Sequence, residues 1–322
     1  MNRILSGVHE AIGNTPMVNL SRITEKYGVS GNIFAKLEYL NPGFSKKDRI
    51  AKQIIEDAEK SGALAPGQAV VELTSGNTGT GLAIVCAIKG YKFYACMSRG
   101  NSVERARMMK ALGAEVVLVD QAPNSIVGQV SGEDLALVEK RAQELVKELN
   151  AFRADQFNLV SNTRAHELHT AKEIWEQSGG NIDVFVDFMG TGGSFAGCAK
   201  ALKERNKNIK CYAVEPGAAA VYAEKHIGSG NHKIQGGGYA LKLPLVPEEL
   251  IDGLISVSDE MAAKVTRELA KYEGVFCGFS SGANVYAALE LLKGRERGKN
   301  IVVLLNDSGL KYLSTDLYDV EL

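Results

Sequence analysis

Asp183-Val184-Phe185-Val186-Asp187-Phe188-Met189-Gly190-Thr191-Gly192-Gly193-Ser194 is the stretch on which the fold turns. Its first six residues read as a strand, a glycine cluster interrupts them, and a small-residue helical run begins near Phe195. Glycines at such a junction let the backbone approach a ligand, several N–H groups converge at the helix start, and the hydroxyls of Thr191 and Ser194 add donors. That combination is a phosphate cradle. The spacing does not give G-x-G-x-x-G, and no G-x-x-x-x-G-K-[ST] occurs in the chain, so a small phosphorylated ligand fits better than a nucleotide.

Outward from this stretch the same order of elements recurs. Strand-like runs at Ile33-Phe34-Ala35-Lys36, Val70-Val71, Phe93-Tyr94-Ala95-Cys96 and Val116-Val117-Leu118-Val119 alternate with helical patterns from about Lys47 to Ser61, after Gly79, and from Ser102 to Leu112. A second set has strands near Val184–Phe188, Lys210–Val214 and Ile301–Leu305. Repeated βα units predict parallel sheets covered by helices on both faces, with ligands at the carboxyl ends of the strands. Two such sheets with a cleft between them suit 322 residues.

Bulk properties narrow the chemistry. Lys and Arg number 37 against 38 Asp and Glu, a formal net charge of −1, and the two signs are mixed along the chain. Neither a nucleic-acid footprint nor a membrane-binding face is predicted, which favours small-molecule chemistry. Cys86, Cys96, Cys198, Cys211 and Cys277 are scattered without C-x-x-C or metal-ligand spacing, so buried, reduced thiols are expected and no metal site. The start, Met1-Asn2-Arg3-Ile4-Leu5-Ser6-Gly7, lacks an apolar leader, and no run reaches membrane-spanning length; a cytoplasmic protein is the expectation.

Two further motifs complete a candidate site. In Asn41-Pro42-Gly43-Phe44-Ser45-Lys46-Lys47-Asp48-Arg49 a lysine follows a Pro/Gly turn at the start of a helix, where it is able to form a Schiff base. In Glu72-Leu73-Thr74-Ser75-Gly76-Asn77-Thr78-Gly79 a strand passes into a helix through hydroxyls, an amide and free N–H groups suited to a carboxylate. A lysine, a carboxylate loop and a phosphate cup together describe a site for pyridoxal phosphate and an amino acid.

Along nearly its whole length the chain resembles the cysteine synthase and cystathionine β-synthase group of fold-type II pyridoxal-phosphate enzymes. The resemblance is carried by Ile12-Gly13-Asn14-Thr15-Pro16-Met17, Lys36-Leu37-Glu38 through Arg49, the Thr74 loop, Asp155-Gln156-Phe157, the Gly190 loop, His232-Lys233-Ile234-Gln235-Gly236, Gly278-Phe279-Ser280-Ser281-Gly282 and Asp307 to Thr315. It implies an α/β fold of two three-layer αβα domains with mostly parallel sheets, like the tryptophan synthase β chain. Residues 1–12 and 36–157 would form a smaller, mobile substrate-binding domain. Residues 13–35 would cross over to join 158–322 in a larger domain that binds the cofactor phosphate.

The resemblance also assigns roles. Lys47, rather than Lys46, would hold the cofactor aldehyde and then remove the substrate α-proton. Gly190, Thr191, Gly192, Gly193 and Ser194 would hold the phosphate, and Ser280 would accompany the pyridine nitrogen. Thr74, Ser75, Asn77, Thr78 and Gln156 would bind the substrate carboxylate, with Asn77 reaching the ring hydroxyl and Gly236 on the substrate side. A neutral serine at the ring nitrogen leaves the cofactor a weaker electron sink than a carboxylate would, which suits prompt loss of a β-leaving group. The implied reaction is β-replacement through an aminoacrylate, most commonly O-acetyl-L-serine plus sulfide giving L-cysteine and acetate. A homodimer and docking of the C-terminal peptide of serine acetyltransferase are implied as well.

Departures from the group concern donor and nucleophile. Gly236-Gly237-Gly238-Tyr239-Ala240-Leu241 stands where cysteine synthases have G-I-G-A-G-F. The tyrosine resembles the G-I-G-Y-D of cystathionine β-synthases, but Ala240 replaces the acidic residue. His169-Thr170-Ala171-Lys172-Glu173 replaces T-T-G-P-E, and Ala219-Ala220 replaces a Ser-Pro pair. A cystathionine β-synthase-like or diaminopropionate-type nucleophile, sulfide release from cysteine, and a catalytically quiet homologue that binds a partner are therefore the alternatives. None of His9, His166, His169, His226 and His232 is required by the chemistry. Gln121 to Ser131, polar and turn-rich, leads through Gly132-Glu133-Asp134 into an amphipathic helix and reads as a surface insertion.

Overall fold

The computed structural model describes residues 4–223 and 230–319; His226 lies outside the described residues. Among the described residues ten strands form two sheets: β1 Met17–Asn19, β2 Asn32–Lys36, β3 Val70–Leu73, β4 Phe93–Ser98, β5 Glu115–Val119, β6 Phe152–Arg153, β7 Val184–Phe188, β8 Lys210–Pro216, β9 Gly253–Val257 and β10 Asn300–Leu304. The larger sheet has the order β1-β2-β10-β7-β8-β9 and the smaller β5-β4-β3-β6. All pairings are parallel except β1 with β2.

The cores follow from the two-residue repeat of a strand. In the larger sheet Val184, Val186 and Phe188 of β7 join Ile33, Ala35, Val214, Ile301 and Val303 on one face. Phe185 faces the other way, with Phe34, Cys211, Ala213, Val302 and Leu304. The smaller sheet divides likewise, Val70, Phe93 and Ala95 against Val71, Leu73 and Cys96. Both faces being covered, β3 and β7 are buried at every position, which is why they read as unbroken strand runs. Burying one such Val, Ile or Phe contributes about 1.5–3 kcal/mol. The five cysteines are buried and unpaired.

Local signals set the helices that reach the cleft. Lys47–Ser61 ends on Gly62 at φ +76, the left-handed stop that glycine adopts without strain. The helix after the Thr74 loop begins at Asn77, two residues before Gly79, so the loop's polar residues lie in its first turn. Gly132–Leu149 opens with a capping box: Ser131 accepts the Asp134 N–H, and the Asp134 carboxylate accepts the Ser131 N–H at 2.8 Å. The same carboxylate accepts from Ala122 N at 2.7 Å and Ser125 Oγ at 2.8 Å, so Asp134 organises the Gln121–Ser131 insertion. Among the described residues no helix is long and apolar enough to cross a membrane, and no three His, Cys, Asp or Glu gather to hold a metal.

Candidate active site

The two adjacent lysines have different surroundings. Lys46 Nζ lies 2.9 Å from both oxygens of the buried Asp187 carboxylate and 2.8 Å from Ser194 Oγ. Among the described residues Lys47 Nζ has only a hydroxyl, donating to Thr191 Oγ1 at 3.2 Å. Burial, followed by repulsion from Lys46, pushes the Lys47 pKa down to about 7, with Asp187 pulling the other way. A neutral, nucleophilic amine is thereby present near neutral pH.

The lysines are aimed by a turn tied to the end of the chain. Phe44 takes φ +63, an uncommon conformation for a non-glycine residue. Its carbonyl accepts Ser308 N–H at 3.1 Å, Lys46 N–H donates to the Asn306 carbonyl at 2.9 Å, and Lys311 Nζ donates to the Gly43 carbonyl at 2.7 Å. Two residues beyond Lys47, Arg49 forms a buried network with Glu38 at 2.7 Å and Glu173 at 2.6 Å. Such a network holds the first turn of the lysine's helix against segments distant in sequence.

The Gly190 loop faces Lys47 at the carboxyl end of β7. Gly192 sits at φ +82, and a Cβ on Gly193 would enter the Asn162 side chain. A Cβ on Gly190 would stand 2.8 Å from the Gly236 carbonyl, so the two glycine segments touch through bare backbone. The helix Gly193–Arg205 starts here, and its first N–H groups have no intrahelical partners. Thr191 Oγ1 accepts from Lys47 and from Asn162 Nδ2 at 2.8 Å, leaving its own proton free. Ser194 differs from the sequence expectation: its hydroxyl donates to Asp187 and receives Lys46, so only its backbone N–H remains for the cup. A carboxylate and an ammonium are stronger partners for that hydroxyl than an open loop.

These features fit pyridoxal phosphate. A neutral amine stands beside a glycine cradle at a helix start, which is the donor set that an aldehyde bearing a phosphate requires.

The carboxylate loop lies across the cavity. Lys47, Thr74, Ser75, Asn77, Thr78, Gln156, Thr191 and Gly236 all line it. Thr74 Oγ1 accepts Gly76 and Gly79 N–H, both at 2.9 Å, which curls the loop and keeps the threonine proton available. Thr78 donates to Gln156 Oε1 at 2.6 Å, and Gln156 Nε2 to the Leu73 carbonyl at 2.9 Å. Asn77 is held at both ends, donating to Asp307 at 2.8 Å and accepting from Lys311 at 2.7 Å. Ser280, in the first turn of the helix Phe279–Lys293, accepts from Asn306 Nδ2 at 3.0 Å.

Several functional neighbours escaped the sequence reading. Arg105 is buried in the cavity wall, donating from Nη1 to the Ser75 carbonyl at 3.1 Å, with its guanidinium 4.9 Å from the Tyr312 ring centre. Arg105 shares the buried face of its helix with Ala106 and Met109. Asp187 could have been found as an acid in the middle of a buried strand. Tyr239, noted only as a departure, places its hydroxyl 2.5 Å from Ser75 Oγ and its ring against Phe157. The adjoining Ala240 takes φ +55, and His232 Nε2 braces the loop at the Gly238 carbonyl, 2.7 Å away.

Comparison with known proteins agrees with this geometry. Residues 8–307 match the family model described as pyridoxal-phosphate dependent enzyme. A cysteine synthase of Staphylococcus aureus is 40% identical over 318 residues, 98% of each chain. The O-acetyl serine sulfhydrylase isoform 3 of Entamoeba histolytica superposes with a TM-score of 0.90 at 39% identity, covering all of this chain and 93% of its own. A hydrogen sulfide-producing enzyme of Fusobacterium nucleatum gives 0.88 at 40% identity, covering 96% of this chain and 100% of its own.

Proposed function

We infer the function from one premise: this chain belongs to the pyridoxal-phosphate dependent enzymes. It is a pyridoxal-phosphate enzyme of β-replacement, of the cysteine synthase kind, converting O-acetyl-L-serine and sulfide to L-cysteine and acetate. The observation that carries the reading is the Lys47 amine, without a carboxylate of its own and 3.2 Å from Thr191 of the glycine loop.

When bound, the cofactor supplies an electron sink for charge developing at the substrate Cα. In our reading the rest belongs to the protein. The N–H groups of the Gly190 loop, with Thr191, would hold the phosphate, and Ser280 would serve the ring nitrogen. Thr74, Ser75, Thr78 and Gln156 bind the amino acid's carboxylate, and Asn77 orients the ring hydroxyl. Lys47, with its pKa lowered, takes the α-proton as acetate leaves Cβ, and after hydrosulfide adds at Cβ it returns a proton to Cα. Lys46, held by the Asp187 carboxylate, takes no part in proton transfer.

A second reading rests on Tyr239. Its hydroxyl, hydrogen-bonded to Ser75, makes the pocket wall polar, which favours another nucleophile or release of sulfide from cysteine. The absence of an acid at Ala240 argues against serine as donor and keeps O-acetylserine first.

The wider reading is a cytoplasmic homodimer able to receive the C-terminal peptide of a serine acetyltransferase, by likeness to the group. A smaller mobile unit of residues 1–12 and 36–157 against 13–35 and 158–322 is supported by β1 and β2 belonging to the larger sheet.

The test is the absorbance of the reconstituted protein during titration with O-acetyl-L-serine, L-serine and L-cysteine, with product analysis. Cysteine formed from O-acetylserine and sulfide supports the first reading. Turnover of cysteine alone would put the second first, and no bound chromophore would defeat both.

A further inference from the structure

Asn306 follows β10 at the point where the lysine segment meets the helix of Ser280. Its side chain is 5% exposed. Its carbonyl accepts Lys46 N–H at 2.9 Å, its own N–H donates to Ser281 Oγ at 2.8 Å, and its Nδ2 donates to Ser280 Oγ at 3.0 Å. Asn306 is the hydrogen-bond partner of the Ser280 hydroxyl among the described residues. Asn306 Oδ1 is buried with no donor, so the Nδ2 contact is what orients the amide.

A hydroxyl carries one proton and two lone pairs, and it points the proton away from a group that already donates to it. We propose that Asn306 is a positioning residue for the reaction: by donating to Ser280 Oγ, it fixes that hydroxyl as a donor toward the cofactor's ring nitrogen, which is thereby held unprotonated. The proposal rests on the reading of Ser280 as the ring-nitrogen partner. Its consequence is control of the electron sink from one residue further out. An aspartate in place of Asn306 would accept the Ser280 proton, turn a serine lone pair to the ring nitrogen, and favour protonation of that nitrogen. A leucine of similar size would leave the hydroxyl free to rotate.

The experiment compares wild type, Asn306→Asp, Asn306→Leu, Ser280→Ala and the two double variants as reconstituted holoenzymes. Absorbance of the bound cofactor is followed across pH, with steady-state kinetics and melting of each protein. Asn306→Asp is expected to show a pH-dependent shift of the cofactor band that wild type and the Ser280→Ala/Asn306→Asp double variant both lack. Asn306→Leu is expected to lose about tenfold in kcat, equivalent to about 1.4 kcal/mol, with KM moved less than about threefold. In the Ser280→Ala background the leucine should cost nothing further. If Ser280→Ala alters the spectrum and the Asn306 variants do not, the positioning role is overturned while the reading of Ser280 survives. If Ser280→Ala behaves as wild type, the reading of Ser280 fails and the proposal falls with it. Equal losses from Asn306→Leu in both backgrounds would make Asn306 merely structural and overturn it too.

Discussion

Lys46 Nζ sits 2.9 Å from each carboxylate oxygen of Asp187, and this pairing decides which of two neighbouring lysines is left reactive. Lys47→Ala should abolish covalent retention of the cofactor while melting close to wild type. Lys46→Met should keep that retention but lose about 3–5 kcal/mol of stability, because Asp187 is then a buried charge without a cation. Absorbance after dialysis and thermal melting separate the two outcomes; covalent retention lost only in Lys46→Met would reverse the assignment.

The lowered pKa of Lys47 gives capture of the cofactor a pH dependence of known sign. Only the neutral amine attacks an aldehyde, so the capture rate of the apo protein should rise with pH and level off above about 7. Well below that point the neutral amine gains about tenfold per pH unit. A rate still climbing toward the ordinary lysine value of 10.5 would show that burial and Lys46 do not perturb the amine.

Tyr239→Phe removes the hydroxyl facing Ser75 and keeps the ring against Phe157. A hydrogen bond of this kind has a net worth of about 0.5–1.5 kcal/mol, so KM for the amino acid should rise about twofold to twelvefold with kcat nearly constant. Steady-state kinetics with O-acetylserine and with cysteine checks this. A fall in kcat at unchanged KM would instead put Tyr239 in the chemistry.

Much of this site was legible from local pattern. The Thr74 loop and the Gly190 loop each stand at a strand-to-helix junction and Lys47 follows a Pro/Gly turn at a helix start, and such features show themselves within a dozen residues. What stayed hidden was the partnership of groups far apart in the chain. Nothing near Lys46 names Asp187 as its counter-ion, nothing near Asn77 names Asp307 and Lys311, and Ser194 looked like a phosphate ligand because Lys46 and Asp187 were not yet beside it. Strands β1, β6 and β9 lie outside the sequence expectations; β1 and β6, at three and two residues, are too short to show a repeat. The helix Val103–Ala111 was found, but only the packed structure tells buried Arg105 from its exposed neighbour Arg107.

Strand β2 lies alongside β10, with Ile33 beside Ile301. On the ribosome, β2 therefore waits for β10. The four-stranded sheet draws only on residues 70–153 and is able to close while the rest of the chain is still being synthesised. The six-stranded sheet has no such freedom, since its long-range pairing carries the slow search that raises contact order. Until β10 is made, Ile33 and Ala35 lack the parallel neighbours Ile301 and Val303. The Lys46–Lys47 segment, made early, acquires its partner Asn306 only after β10 has been made.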